Sequence, residues 1–220
     1  MKKFLAVLSS IALIGMLLVK PHRKSVSDYA KSIIHLHMVF TNPEGRQFGA
    51  SCSGVYISPD GLALTAKHCT EEGNFKATTM LNVEENGDET YVQILAKDPG
   101  TDVALIKVWN VENVPYVKLA KKAFVGEVVY AIGHPQDMPL LITKGILCSL
   151  DIDGYFVSDA LINPGSSGGA LIDTDGNLVG LTVAESVDYQ LFGLVMTKTG
   201  YAFIVPYSDI KRFLDTFKGL

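Results

Sequence analysis

Short apolar or alternating segments, rich in β-branched residues, recur along the chain from Ser25 onward. Segments of this kind are typical of β-strands, and turn signals made of Gly, Asn, Asp and Pro separate them. The strands that the pattern predicts are Ser32–Phe40, Gly54–Ile57, Leu62–Thr65, Val92–Ala96, Val103–Val108, Glu127–Ile132, Leu140–Leu147, Gly169–Ile172, Leu178–Val183 and Tyr201–Val205. The pattern therefore indicates an all-β protein with closed or packed sheets.

Only the C-terminal end has helical spacing. Ile210, Phe213, Leu214 and Phe217 fall on one face of a helix. With Ser208 or Asp209 as the cap, the spacing predicts a helix over about residues 208–218.

The N-terminal segment is predicted to be an export signal rather than part of the domain. Lys2 and Lys3 precede an uncharged run over residues 4–19. A basic start followed by such a run is typical of a secretory signal peptide or a signal anchor, and a buried core helix is the less favoured alternative. No small-x-small cleavage site precedes Lys20, which favours an anchor. We therefore expect residues 1–24 to direct export, with the domain in residues 25–220 anchored, secreted or periplasmic.

Composition narrows the class of function. The chain has 220 residues, long enough for a sizeable core, and a net charge of −4. All 23 acidic residues and 14 of the 19 basic residues lie after position 24, so the body of the chain is acidic. An acidic body argues against nucleic-acid binding and against adhesion to anionic lipid. We expect no nucleic-acid partner and membrane contact only through the N-terminal segment.

Two motifs carry a histidine and an acid next to predicted strands. His68 follows the strand Leu62–Thr65, and Asp102 precedes the strand Val103–Val108. A histidine can act as a general base, because its ordinary pKa lies near neutrality. An acid beside it can fix the tautomer of the ring, but each residue taken alone is more often structural.

The third motif is sharper, because glycines surround a serine between two apolar segments. The segment Asn163–Gly169 reads Asn-Pro-Gly-Ser-Ser-Gly-Gly, and a strand follows it directly, which argues against a flexible linker. Glycines allow a cramped loop whose backbone N–H groups point inward. The N–H groups of Gly165 and Ser167 could then bind an oxyanion that forms when the Ser167 hydroxyl attacks a carbonyl group. No strand-elbow-helix context accompanies the serine, so the α/β-hydrolase interpretation fails.

The order His68, Asp102, Ser167 resembles the chymotrypsin clan of serine proteases, and most closely its HtrA (Deg) branch. The resemblance extends from about Gly49 to Pro206. The segments that carry it are Gly54–Gly61, Asp98–Ile106, Asn163–Gly169, Gly176–Leu181 and Tyr201–Pro206.

The resemblance implies two antiparallel six-stranded β-barrels, over about residues 25–115 and 116–206, with the active site between them. It implies that Ser167 is the nucleophile, that His68 is the general base and that Asp102 orients the imidazole. Gly165 and Ser167 would supply the oxyanion hole, and Cys52 and Cys69 would form a disulfide, although two buried thiols remain an alternative. The residues that it places around the primary pocket are Leu161, Ile162, Val183, Ala184, Ala202 and Phe203.

The function expected from this resemblance is a serine endopeptidase acting on protein or peptide substrates. Because no pocket residue is charged, we expect a preference for small or medium apolar residues before the scissile bond. Only 53 residues follow Ser167, too few for the PDZ domain that HtrA enzymes usually add. Alternatives are an inactive trypsin-like binding domain and an esterase.

Metal and cofactor chemistry is not indicated by the spacing of potential ligands. No His, Cys and Asp cluster has the spacing of a zinc site, and we expect no metal ion and no other cofactor. Asp173, Asp175 and Asn177 could suggest a calcium loop, but a hairpin turn explains them better.

Overall fold

The computed structural model of the protein describes residues 25–185, 190–191, 194–195 and 200–217. The predicted signal or anchor helix in residues 1–24 lies outside the described residues. Within the described ranges, neither α-helix has the length and apolar character needed to cross a bilayer.

Strands make up most of the described chain. In chain order they are β1 (Ile33–Thr41), β2 (Gln47–Tyr56), β3 (Leu62–Thr65), β4 (Glu71–Glu72), β5 (Phe75–Val83), β6 (Glu89–Lys97), β7 (Ala104–Val108), β8 (Lys118–Leu119), β9 (Val128–Gly133), β10 (Leu141–Ile152), β11 (Tyr155–Ser158), β12 (Ala170–Asp173), β13 (Asn177–Glu185), β14 (Gln190–Leu191), β15 (Leu194–Val195) and β16 (Ala202–Pro206). The helices are α1 (Val26–Ala30) and α2 (Tyr207–Asp215), with 3-10 turns at Lys67–Cys69 and Pro135–Asp137.

Two sheets each close on themselves. The first has the order β1-β2-β3-β7-β6-β5, and antiparallel pairing of β1 with β5 closes it into a barrel. The second has the order β12-β9-β10-β11-β16-β13, and antiparallel pairing of β12 with β13 closes it. β4 extends the first sheet, and β8 joins the second in parallel with β13. The prediction of an all-β protein with two six-stranded antiparallel barrels is therefore confirmed.

The buried side chains explain why these segments form strands. Alternate residues of β1, including Leu36, Met38 and Phe40, are buried. Leu171, Leu181 and Ile204 are fully buried in the second barrel. Period-two burial is what a strand with one face on the core requires.

Several local predictions need correction, since β4, β8, β11, β14 and β15 were not predicted and β2 begins at Gln47 rather than Gly54. Strand β5 was not predicted, because its apolar and polar residues do not alternate regularly and only Met80 and Asn82 are buried. Helix α1 was also missed, although the Asp28 carboxylate accepts a hydrogen bond from the N–H of Ser25 at its start. Helix α2 begins at Tyr207 with Pro206 in the cap position, so neither Ser208 nor Asp209 caps it. Proline fits there because it needs no N–H partner.

Candidate active site

The register of two neighbouring strands brings His68 and Asp102 together. β3 and β7 are antiparallel, with Thr65 opposite Ala104. The chain that leaves β3 therefore runs beside the chain that enters β7. His68 lies in the 3-10 turn directly after β3, and Asp102 lies just before β7.

Two hydrogen bonds join this pair. The His68 backbone N–H donates to Asp102 Oδ1 at 2.9 Å, and the His68 ring atom Nδ1 lies 2.6 Å from Asp102 Oδ2. Burial alone would raise the pKa of Asp102, but the hydrogen bonds and charge of His68 outweigh it and lower that pKa. Asp102 is therefore an ionised acceptor that fixes the imidazole ring through Nδ1.

The turn that carries Asp102 is held by a buried carboxylate. Asp98 accepts hydrogen bonds from the N–H of Gly100 and the hydroxyl of Thr101. Lys67, next to His68, donates from Nζ to the carbonyl oxygen of Asp98 at 2.8 Å. The two chain segments of the pair are thus connected at a second point.

The glycine-rich loop also lies where two strands meet. Ala170 in β12 pairs with Ile132 in β9, so the loop before β12 lies beside the segment after β9. Within the loop, the N–H of Ser166 donates to the carbonyl of Asn163 at 2.9 Å, and Gly165 has a φ of +96°. Proline followed by glycine at positive φ is the signature of a type II turn.

The orientation of the peptide group between Pro164 and Gly165 is fixed from outside the loop. The N–H of Gln136 donates to the Pro164 carbonyl at 2.6 Å. In a trans peptide the N–H points opposite to the C=O, so the Gly165 N–H points away from Gln136. Among the described residues, neither Gly165 nor Ser167 donates its backbone N–H to a protein acceptor.

Ser167 lies near the turn that carries His68, but its hydroxyl does not point to the His68 ring. Its carbonyl oxygen accepts a hydrogen bond from the N–H of Ser53 at 2.8 Å and lies 3.7 Å from Cys69 Sγ. Its hydroxyl donates to the carbonyl of Val183 at 3.4 Å. Within the described chain, no hydrogen bond joins Ser167 Oγ to the His68 ring.

Two buried hydroxyl groups that sequence reasoning missed support the loop. Ser53 accepts from the N–H of His134 and donates to the Gly165 carbonyl, both at 2.8 Å. Thr182 donates to the carbonyl of Ser166 at 2.6 Å. A buried Ser or Thr in a strand is the only signal the sequence offers, and it does not name the partner.

The structure contains the disulfide between Cys52 and Cys69 that the resemblance implied. It joins β2 to the turn that carries His68. The expected hairpin at residues 173–177 is confirmed, because the Asp173 carboxylate accepts from the backbone N–H groups of Asp175 and Asn177.

A small, mainly apolar pocket lies next to the glycine-rich loop. Its lining includes two of the predicted pocket residues, Leu161 and Ile162, together with Asn163, Ser166 and Thr182. Val183 and Ala202 are buried in the cores, and the Phe203 ring packs edge-on against Tyr155. The side chain of Ala184 lies outside the described residues.

Comparisons with known proteins agree with this geometry. The family model described as a trypsin-like peptidase domain matches residues 52–181. A serine protease HTRA1 from Xenopus tropicalis is 29% identical over 205 residues, covering 86% of this chain and 41% of the relative. A probable periplasmic DegP-like serine endoprotease from Rhizobium meliloti is 32% identical over 176 residues, covering 76% and 33%. The chain thus spans about two fifths or less of the length of these relatives.

Solved structures give the same result. The serine endoprotease from Yersinia pestis superposes with a TM-score of 0.69 at 25% identity, covering 87% of this chain and 64% of that one. The HtrA-type protease AlgW with a decapeptide gives 0.70 at 27% identity, covering 87% and 65%. The chain therefore belongs to the trypsin-like peptidase family, as an HtrA-like member of the chymotrypsin clan.

Proposed function

We propose that the protein is a serine endopeptidase in which Ser167 attacks the peptide carbonyl, His68 transfers the proton and Asp102 holds the imidazole. The observation that carries the proposal is the paired contact between His68 and Asp102, with the ring nitrogen Nδ1 2.6 Å from the carboxylate. This contact leaves Nε2 as the ring atom available to accept a proton from a nucleophile.

The reaction needs one movement of Ser167. Rotation about its Cα–Cβ bond would transfer the hydroxyl hydrogen bond from the carbonyl of Val183 to Nε2 of His68. As Oγ attacks the substrate carbonyl, its proton passes to Nε2, and the Asp102 carboxylate stabilises the imidazolium cation. The same proton then passes to the leaving amine, and water repeats the sequence to release the acyl group.

The oxyanion hole would be formed by the N–H groups of Gly165 and Ser167. Both are free of protein acceptors within the described residues, and the Gln136 hydrogen bond to Pro164 holds the turn that precedes them. Donors fixed in advance stabilise the developing negative charge without reorganisation.

Substrate preference follows from the pocket beside the loop. Leu161 and Ile162 contribute to its lining, and none of its lining residues is charged. A lysine or arginine side chain would lose its hydration there without gaining a counter-ion. We propose that small or medium apolar residues precede the scissile bond. The contributions of Val183, Ala184, Ala202 and Phe203 stay predictions.

The names of the relatives support protein or peptide substrates and an exported location for this chain. One relative is named a probable periplasmic endoprotease, and a disulfide such as Cys52–Cys69 persists in oxidising compartments. The proposal includes anchoring or export through residues 1–24.

Digestion of casein and of a peptide library by the protein tests the proposal, with Ser167→Ala as the control. We expect cleavage after apolar residues, and covalent labelling by a fluorophosphonate that is absent in the variant. Intact peptides and an unlabelled serine would favour an inactive binding domain. Turnover of esters without turnover of peptides would favour an esterase.

A further inference from the structure

A second cluster of ionisable side chains lies outside the proposed catalytic residues. His35 and His37 are alternate residues of β1, so both project from the same face of the strand. Asp137 reaches them from the turn after β9. Its Oδ1 atom lies 2.9 Å from Nε2 of His35 and 2.9 Å from Nε2 of His37.

The three ligand atoms converge in a way that suits a tetrahedral ion. The two Nε2 atoms are 3.3 Å apart. Two nitrogen ligands, each about 2.0–2.1 Å from a tetrahedral zinc ion, are about 3.3–3.4 Å apart, and an oxygen ligand has a similar bond length. Asp137 is 58% exposed on a turn, so its carboxylate has room to open by a few tenths of an ångström.

Neighbouring residues fix the orientation of the His35 ring and leave the proposed ligands accessible to an ion. The ring of His35 stacks on that of His134, with centroids 4.2 Å apart, which fixes its orientation. A surface groove lined by His37, Asp137 and Thr79 gives an ion and a water ligand access.

We propose that His35, His37 and Asp137 bind a divalent transition-metal ion of the zinc class, which ties the turn after β9 to β1. Imidazole nitrogens favour zinc and its neighbours over magnesium or calcium. Sequence spacing does not indicate the site, because the third ligand lies far along the chain from the His-x-His pair.

The position of the site gives the ion a structural role. Gln136 and Asp137 have φ values of +53° and +59°, a left-handed conformation that is unfavourable for residues other than glycine. The same segment supplies the Gln136 N–H to the Pro164 carbonyl of the glycine-rich loop. Ligation of Asp137 would hold this strained segment against β1 and preserve that hydrogen bond.

Zinc binding to the full-length, untagged chain tests the site directly, by competition with a chromogenic zinc chelator. We expect one zinc ion per chain, with affinity reduced by more than about 100-fold in His37→Gln and in Asp137→Asn, since loss of even an outer-sphere partner costs 10–100-fold. His68→Ala is the matched control, because it removes a different exposed histidine, and it should bind zinc as the wild type does.

Cobalt(II) absorption and hydrogen exchange complete the test, and neither depends on peptidase activity. Bound cobalt should give the intense visible bands of a four-coordinate site, lost in His37→Gln. Zinc should slow amide exchange in residues 134–138 of the wild type but not of Asp137→Asn. Unchanged zinc affinity in both ligand variants, loss of binding only in His68→Ala, or no zinc-dependent protection of this segment would overturn the proposal.

Discussion

The hydroxyl of Ser53 donates a hydrogen bond to the carbonyl oxygen of Gly165 at 2.8 Å, across 112 residues of sequence. Ser53 belongs to β2 in the first barrel, whereas Gly165 belongs to the glycine-rich loop of the second. This hydrogen bond therefore links the first barrel directly to the glycine-rich loop of the second barrel. It is supported by the N–H of His134, which donates to the same hydroxyl.

Replacing Ser53 with alanine should impair catalysis more than substrate binding. The change leaves the Gly165 carbonyl and the His134 N–H without their buried partner, at a cost of about 1–3 kcal/mol in unfolding free energy. A shift of the loop by about 1 Å should lower kcat by up to about 100-fold. Kinetics with a peptide substrate and urea unfolding measure the two effects.

Ser149→Ala is a suitable comparison for that variant. The Ser149 hydroxyl accepts one hydrogen bond, from the exposed N–H of Asp151, and lies in β10. Removing an exposed hydrogen bond of this kind changes the stability of the folded structure little. We therefore expect the kcat of Ser149→Ala to stay within about twofold of the wild-type value. Equal kcat values for the two variants would contradict the role of Ser53.

Gly168→Ala should disrupt the same loop through a steric clash. Gly168 has a φ of +81°, and an added Cβ would lie 2.3 Å from the Ser53 carbonyl oxygen and 2.3 Å from Thr65 Oγ1. Gly154→Ala is a matched control, because Gly154 has a φ of +85° and nothing within 4 Å of the added atom. We expect the unfolding free energy of Gly168→Ala to fall by about 1–3 kcal/mol more than that of the control. We also expect Gly168→Ala to lose its peptidase activity. Equal losses in thermal unfolding would show that the loop adapts.

Local signals predicted the all-β class, whereas the two barrels and the segments of the candidate site were implied by the resemblance to the chymotrypsin clan. Strand β3 has the bounds that its apolar run predicts. The glycines of the segment Asn163–Gly169 indicate a turn with positive φ, which the structure contains. The roles of Ser53 and Thr182 could not be predicted, because each depends on a partner brought near by barrel closure. Strand β5 could not be predicted for a related reason, because it forms by pairing with the distant strand β1 rather than by burying an apolar face.

Asp102→Asn should lower kcat by about 10⁴-fold and leave KM nearly unchanged, if the proposed mechanism holds. An amide can present its N–H₂ group to Nδ1 of His68, and the ring then adopts the tautomer that cannot accept the serine proton. Asp60→Asn is the control, because Asp60 forms an exposed ion pair with Lys107. Comparable steady-state kinetics for Asp102→Asn and the wild type would remove Asp102 from the mechanism.

Reduction of the disulfide should destabilise the first barrel. Cys52 and Cys69 are 17 residues apart, and closing a loop of this length stabilises a fold by roughly 3 kcal/mol through the unfolded state. We expect urea unfolding with dithiothreitol to give an unfolding free energy lower by about that amount. The comparison is made in Cys148→Ala, which removes the free thiol. A midpoint unaffected by reductant would mean that the disulfide contributes nothing.

Acidification should remove the stabilisation that comes from Asp102. Because the hydrogen bonds and charge of His68 outweigh burial, the pKa of Asp102 is lower in the folded protein than its unfolded value of about 3.9. The folded state therefore binds the proton less readily than the unfolded state. The stabilisation is complete above the unfolded pKa and is lost as the pH falls through the folded pKa. The difference in unfolding free energy between wild type and Asp102→Asn should shrink between pH 5 and pH 3, as measured by urea unfolding, and a constant difference would contradict the ionised pair.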